Sequence, residues 1–600
     1  MHFTKNYIII YTKKTLGGHT MFEIKDQFYL NGKPFRIVSG AIHYFRTVPE
    51  YWRDRLEKLV NMGCNTVETY IPWNFHEPDK GEFIWNGARD ICRFIETAKD
   101  LGLYMIIRPS PYICAEWEFG GLPAWLLKDR NMRLRCSYKP YLDAVKEYYS
   151  VLIPKLAPYQ IDKGGNIILV QIENEYGYYG NDTAYLEFLR DTMRKFGITV
   201  PFVTSDGPWN EPIFKSGLVD GALPTGNFGS AAEWQFGQMK EFMGGGKPLM
   251  CMEFWNGWFD AWGEEHHTTP PEKANAELEE LLKRGSLNFY MFEGGTNFGF
   301  MSGRNCGNKT ADVTSYDYDA PLTEDGRITE KYRLFKETIS KYETVREIPL
   351  TTGIKRKAYG EIPCAGKADL FSVLTKIAEP VKSPYPLTME DIGQNYGYIL
   401  YRLNIRDSET VNEVRLENAA DRVLCYHDGK YLYTAFAENI HEKFEPENKK
   451  AGGHIDLLCE NMGRENFGTG LENQRKGIIG GVKVNDHRYF GYEIFSLPLD
   501  EKQLEKIGFA EICTENVPAF YKFEFDAEEL GDTFLDTACF GKGCAFINGF
   551  NLGRFWETGP QKRLYLPAPL LKKGKNTLII FETEGKSADK ITLAEEPDLG

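Results

Sequence analysis

The chain has 600 residues, more than one compact domain holds, and its 42% hydrophobic and 26% charged residues are the balance of a folded protein, not a disordered or collagen-like one. Lys and Arg total 71 against 85 Asp and Glu, a net charge of −14, so the basic footprint that nucleic acid or an anionic membrane surface selects is missing. The twelve cysteines are scattered with no Cys-x-x-Cys pair, which disfavours a zinc ribbon or a dense disulfide framework, while the 14% aromatic content is mostly core material that also suits stacking on sugar faces.

Residues 1–20 read as a non-structural extension, with Met21 as an alternative start to Met1. Their one apolar run, Tyr7 to Tyr11, is too short for a signal-peptide core or a membrane span, so a cytoplasmic location is expected. Phe28 to Leu30, the pair Asn31-Gly32 and Phe35 to Val38 predict a hairpin with a two-residue turn. Short apolar runs then recur at 36–42, 64–71, 103–107, 167–172, 200–204, 221–224, 248–253 and 287–292, eight candidate strands. Helical periodicity separates them: Trp52, Leu56, Leu59 and Val60 share one face, as do Ile91, Phe94, Ile95 and Ala98. Further helices are expected near 138–157, 182–196, 233–243, 272–284 and 329–344, and the fifth unit is weakest, with a short turn around 210–216. Eight strands alternating with helices fit a (β/α)8 TIM barrel over 21–345, with a doubly wound open sheet as the alternative. The barrel is favoured because polar and aromatic clusters follow the apolar part of most strands, the end at which barrels carry their active sites. Residues 346–395, with Pro363, Pro380, Pro384 and Pro386, read as a connection or irregular strands. Short strands and turns beyond it predict two all-β sandwich domains, 396–500 and 501–600.

Two segments concentrate chemistry. The apolar strand 167–172 runs into Glu173-Asn174-Glu175, where strand alternation would point both carboxylates one way and Asn174 the other. The strand 248–252 runs into Glu253, followed by Trp255, Trp258 and Trp262. Glycoside hydrolysis needs two carboxyl groups flanking the scissile bond and surfaces that hold the ring, and a strand-4 Glu and a strand-7 Glu can meet across a barrel mouth. Loops 68–78 and 108–118 add aromatics, amides and carboxylates suited to vicinal hydroxyls. Other chemistries lack an anchor: His76-Glu77 is followed by Pro78, Gly246-Lys247 by Pro248, and there is no Gly-x-Ser-x-Gly. His43, His76, His266 and His267 are expected to be structural, and neither a metal site nor a cofactor is expected. On the residues alone, a β-glycosidase for any of several sugars and a non-catalytic sugar-binding protein both remain open.

Several motifs carry a resemblance. Ser39 to Arg46, Glu68 to Asn74, Ile113 to Glu118, Gln171 to Gly177, Gly294 to Gly299 and Thr314 to Pro321 resemble those of the β-galactosidases of glycoside hydrolase family 35, compact bacterial type, and the likeness runs from about Ile37 to Phe581. The resemblance implies a TIM barrel followed by jelly-roll, galactose-binding-like β-sandwiches, and retaining hydrolysis of terminal non-reducing β-D-galactose. It implies Glu175 as acid/base and Glu253 as nucleophile. It puts galactose contacts at Tyr70, Glu116, Asn174 and Tyr318, with Asn174 on the 2-hydroxyl, and a ring beside the nucleophile at Trp255, where relatives carry Tyr. Several compact bacterial members prefer β-1,3 linkages, which is carried over as an expectation. The partner expected is a β-galactoside, with no nucleic acid and no membrane. The sandwiches are free to support the barrel, bind sugar or form a homodimer interface.

Overall fold

The structure, a computed structural model, describes residues 21–109, 111–305, 311–447, 449–510 and 514–600. The expected extension 1–20, Ser110 of one motif loop, Cys306 and Cys513 lie outside the described residues. The ten described cysteines are free thiols.

The hairpin forms at its expected turn: Asn31 and Gly32 take φ of 53° and 77°, and Leu30 pairs with Lys33. Asn-Gly tolerates this left-handed pair, whose twist matches that of the flanking strands. The returning strand is only Lys33–Pro34, and Phe22–Ile24 completes a three-stranded sheet. Val38 belongs instead to the barrel.

Eight parallel strands close on themselves: β1 Val38–Ile42, β2 Thr66–Tyr70, β3 Tyr104–Arg108, β4 Ile167–Gln171, β5 Phe202–Asp206, β6 Ala222–Phe228, β7 Met250–Trp255 and β8 Ser286–Glu293. β8 pairs with β1, Leu287 opposite Val38, and this last pairing closes the barrel and excludes the open sheet. The strands read as near-continuous apolar runs because helices cover their outer face and side chains fill the interior. Those helices are α1 Trp52–Met62, α2 Ile91–Asp100, α3 Lys139–Leu156, α4 Thr183–Phe196, α5 Glu211–Ser216, α6 Ala232–Phe242, α7 Pro271–Arg284 and α8 Glu330–Ile339. The short α5 is the weak fifth unit; the Asn210 side chain caps it, accepting from Ile213 N at 3.2 Å.

Two all-β domains follow. In the first, a six-stranded sheet that includes Tyr398–Asn404, His454–Glu460 and Arg422–His427 packs through Ile399, Tyr401 and Leu457 against a three-stranded sheet bearing Val414, Leu416, Val482 and Val484. The second is an eight-stranded array around Phe523, Leu535, Ala545 and Ile580. The segment 346–395, read as a connection or irregular strands, holds one long regular strand and a helix. Gly360–Asp369 is a strand of the second domain, pairing with Lys590–Ala594 over residues 360–363 and with Ala519–Ala527 over 364–369. Pro363 sits at the changeover, where a strand survives the missing N–H. The helix α9, Leu370–Ile377, then buries Leu370, Val373 and Leu374 against Leu400 of the first domain and Phe520 of the second.

Candidate active site

A cavity of about 230 Å3 opens at the C-terminal end of the strands, and all seven residues singled out from the sequence line it: Tyr70, Glu116, Asn174, Glu175, Glu253, Trp255 and Tyr318. Glu253, on β7, is buried among donors. The Arg108 guanidinium reaches its Oε1 at 2.6 Å, the Tyr70 hydroxyl stands 2.9 Å from the same oxygen, and Trp255 Nε1 donates to Oε2 at 3.0 Å. Arg108 ends β3 wholly inside the barrel, also donating to Gln171 at 2.9 Å and to Asn174 Oδ1 at 2.6 Å, with its plane over the Tyr70 ring at 3.9 Å. A fixed cation thus gives Glu253 its counter-charge, through one guanidinium nitrogen on one carboxylate oxygen.

Glu175 has a different environment. Its hydrogen bond is from Asn227 Nδ2 on β6, at 3.0 Å. Removal from bulk water pushes its carboxyl up to about 8, the Glu253 charge adds to the rise, and the Asn227 donor opposes it. Two carboxyls of one cavity therefore sit in environments that differ in kind, one beside a cation and two further donors, the other desolvated beside a like charge.

The expected alternation over Glu173-Asn174-Glu175 does not hold. β4 ends at Gln171, and Glu173 and Glu175 take left-handed φ of 56° and 46°, so strand geometry no longer sets their directions. Asn174 and Glu175 both reach the cavity, while Glu173 turns away to a bidentate pair with Arg135, 2.8 Å on each oxygen, and accepts from Tyr185 at 3.1 Å. Glu173 is thus the scaffold carboxylate of the pair. Asn174 Oδ1 is held by Arg108 and by Gln171 Nε2 at 3.1 Å; since Arg108 can only donate, the amide oxygen faces it and the NH2 is left for the cavity.

Glu116 comes from the loop after β3, where Cys114, Ala115 and Glu116 take φ of 58°, 59° and 49°. Three consecutive left-handed residues persist only when their surroundings over-determine them. Arg46 donates to Ala115 O, Gly303 N to Glu116 O at 2.9 Å, and Tyr316 to the Glu116 carboxylate. Burial pushes the Glu116 carboxyl up to about 7, against the opposing pull of Tyr316 and Arg46. Tyr318 lies on a loop that passes close to β7 and β8: a Cβ at Gly257 would stand 1.8 Å from Tyr318 O, and one at Gly294 1.6 Å from Tyr316 O. Glycine at both positions lets that loop close over the barrel.

The family is decided by comparison with known sequences. The model of the glycosyl hydrolases family 35 matches residues 27–342, a beta-galactosidase first all-beta domain matches 386–498, and a beta-galactosidase galactose-binding domain matches 518–576. The chain belongs to glycosyl hydrolases family 35. It is similar to human beta-galactosidase-1-like protein 2, 38% identical over 589 residues covering 96% of this chain and 91% of that one. Human beta-galactosidase is 38% identical over 625 residues, 97% and 91% of the two chains, and beta-galactosidase 17 of Arabidopsis thaliana 37% over 613 residues, 94% and 87%. This family 35 chain is therefore a glycoside hydrolase.

Its site also contains residues that sequence reasoning passed over. Arg108 stood at the start of a loop noted for its aromatics, amides and carboxylates, Asn227 lies past the expected strand 221–224, and Tyr290 falls inside an apolar strand with no local signal. Asn466 and Phe467 belong to the first all-β domain: Phe467 lines the cavity, and Asn466 Nδ2 stands 2.7 Å from Asn305 Oδ1 and 3.4 Å from Glu116 Oε1. Of the histidines, His43 bonds Arg46, His76 bonds Tyr44 and Ile84 O, and His266 and His267 bond Asp260. Among the described residues no group of three or more His, Cys, Asp or Glu is arranged to hold a metal ion.

Proposed function

We propose that this glycoside hydrolase is a retaining exo-β-galactosidase, releasing terminal non-reducing β-D-galactose by double displacement. The observation that carries the reading is the asymmetric pair of carboxyls in one cavity: Glu253 ion-paired to Arg108, and Glu175 pushed up to about 8 and so protonated at neutral pH. In the first step a Glu253 oxygen attacks the anomeric carbon, the bond from that carbon to the aglycone oxygen breaks, and the Glu175 proton passes to the departing oxygen. Loss of the Glu253 charge on forming the ester removes one of the causes that hold the Glu175 carboxyl high. Glu175, now a carboxylate, takes a proton from water as that water attacks the anomeric carbon, and the bond to Glu253 breaks. The Asn174 NH2 is assigned to the sugar 2-hydroxyl, and Tyr70, Glu116 and Tyr318 to the rest of the ring.

Galactose as the sugar rests on the family and on relatives named β-galactosidases. Two measurements test the reading together. Proton NMR of the first product should show β-galactose before mutarotation, and aryl β-galactosides should be cleaved much faster than aryl β-glucosides; α-galactose first, or the reverse preference, contradicts it. A panel of β-1,3-, β-1,4- and β-1,6-galactosides tests the preference for β-1,3 linkages. Asn174→Ala should lower kcat more than it raises KM, because a 2-hydroxyl contact strengthens in the transition state.

A further inference from the structure

We propose that a second cavity, of about 400 Å3, is an outer saccharide subsite for the sugar that follows the residue next to galactose, so that the enzyme acts on chains of three or more sugars in preference to disaccharides. The proposal rests on the galactosidase reading above and adds a ligand to it. The inner cavity, about 230 Å3, is smaller than the ~300–1,000 Å3 usual for a small-molecule site and suits one ring. The outer cavity continues it, since Trp209, Trp255 and Trp258 line both. The Trp255 ring stands between Trp209 and Trp258, with centroids 5.8 and 5.6 Å away and planes steeply inclined at 61° and 81°. Trp209 and Trp258 remain 39% and 38% exposed, unusual for indoles and apt for covering the apolar face of a sugar that leaves the inner site.

Beyond the tryptophans the lining turns polar. Gln235, on α6, is only 7% exposed, yet its Oε1 has no hydrogen-bond partner. A buried acceptor left unpaired costs free energy, and a sugar hydroxyl entering the cavity would satisfy it. Lys273 and Glu277 stand one turn apart on α7, placing a donor and an acceptor side by side on the rim, with Glu277 Oε2 fixed by Ala232 N at 3.3 Å. Glu277 is the only carboxylate in this lining, so the cavity has no acid pair for hydrolysis and is a place for binding.

The test compares kcat/KM for an aryl β-galactoside, a galactosyl disaccharide and the trisaccharide that extends it by one sugar at the reducing end. The wild type should favour the trisaccharide over the disaccharide by about tenfold or more. Gln235→Ala and the exposed Lys273→Ala should each cut that preference to about threefold or less while leaving the aryl galactoside within about twofold of wild type. Equal rates on the two oligosaccharides, or variants that slow the aryl galactoside as much as the trisaccharide, overturn the outer subsite. Absence of hydrolysis of all three would instead overturn the galactosidase reading.

Discussion

Glu175 and Glu253 show how one residue type takes two roles through its neighbours. Free-enzyme activity needs Glu175 protonated, so kcat/KM should fall as pH rises through about 8; a profile flat to pH 10 contradicts that role. Stability follows from the same shift. The Glu175 carboxyl titrates near 4.5 when exposed and about 8 when folded, so between those values the folded state holds more protons than the unfolded one, and stability falls as pH rises. Glu175→Gln has no charge to desolvate. Its melting temperature should therefore exceed wild type by a margin that opens above about pH 4.5 and grows to about pH 8, and parallel melting curves across that window count against the shift. On substrates with poor leaving groups the same variant should lose about 10²–10⁴ in kcat. Trp255→Phe removes a donor to Glu253 Oε2 and should cost about tenfold or more in kcat/KM, whereas unchanged kinetics would leave Trp255 as packing alone.

Individual elements were legible where periodicity was strong and illegible where geometry departed from it. The eight barrel strands are apolar runs and the helices amphipathic, so their spacing carried the architecture. Glu173 and Glu175 could not be told apart by alternation, because the turn after β4 passes through left-handed φ that no pattern of polarity announces. Arg108 and Asn227 were hidden for another reason: their roles depend on which strands become neighbours across a closed barrel, which the local sequence does not record. The loop carrying Glu116 depends on the first all-β domain as well. Tyr112 donates to Asn466 O, and buried Arg464 pairs with Glu118 of the loop and Glu390 of the domain. Arg464→Ala would leave two buried carboxylates without their cation, at a cost of about 3–5 kcal/mol. It should lower the melting temperature and weaken substrate binding together; a wild-type melting curve would show the junction to be energetically idle.

At the scale of the whole molecule, the β domains emerge as part of the site and not only its support. Phe467 walls the cavity from the first domain, and α9 with the strand Gly360–Asp369 ties that domain to the second. The family motifs made the barrel and its carboxyls readable from the sequence, whereas the contribution of Asn466 and Phe467 rests on contacts between residues far apart in the chain, 161 positions for Asn305 and Asn466 and 352 for Cys114 and Asn466. The central claim is that Glu253 carries the galactosyl group between the two steps. A 2-deoxy-2-fluoro-β-galactoside with a good leaving group slows both steps and lets the intermediate accumulate, so peptide mapping by mass spectrometry can locate it. The account predicts a single fluorogalactosyl ester on Glu253 with activity lost in proportion; an ester on Glu175 or Glu116, or full inactivation with Glu253 unmodified, would contradict it.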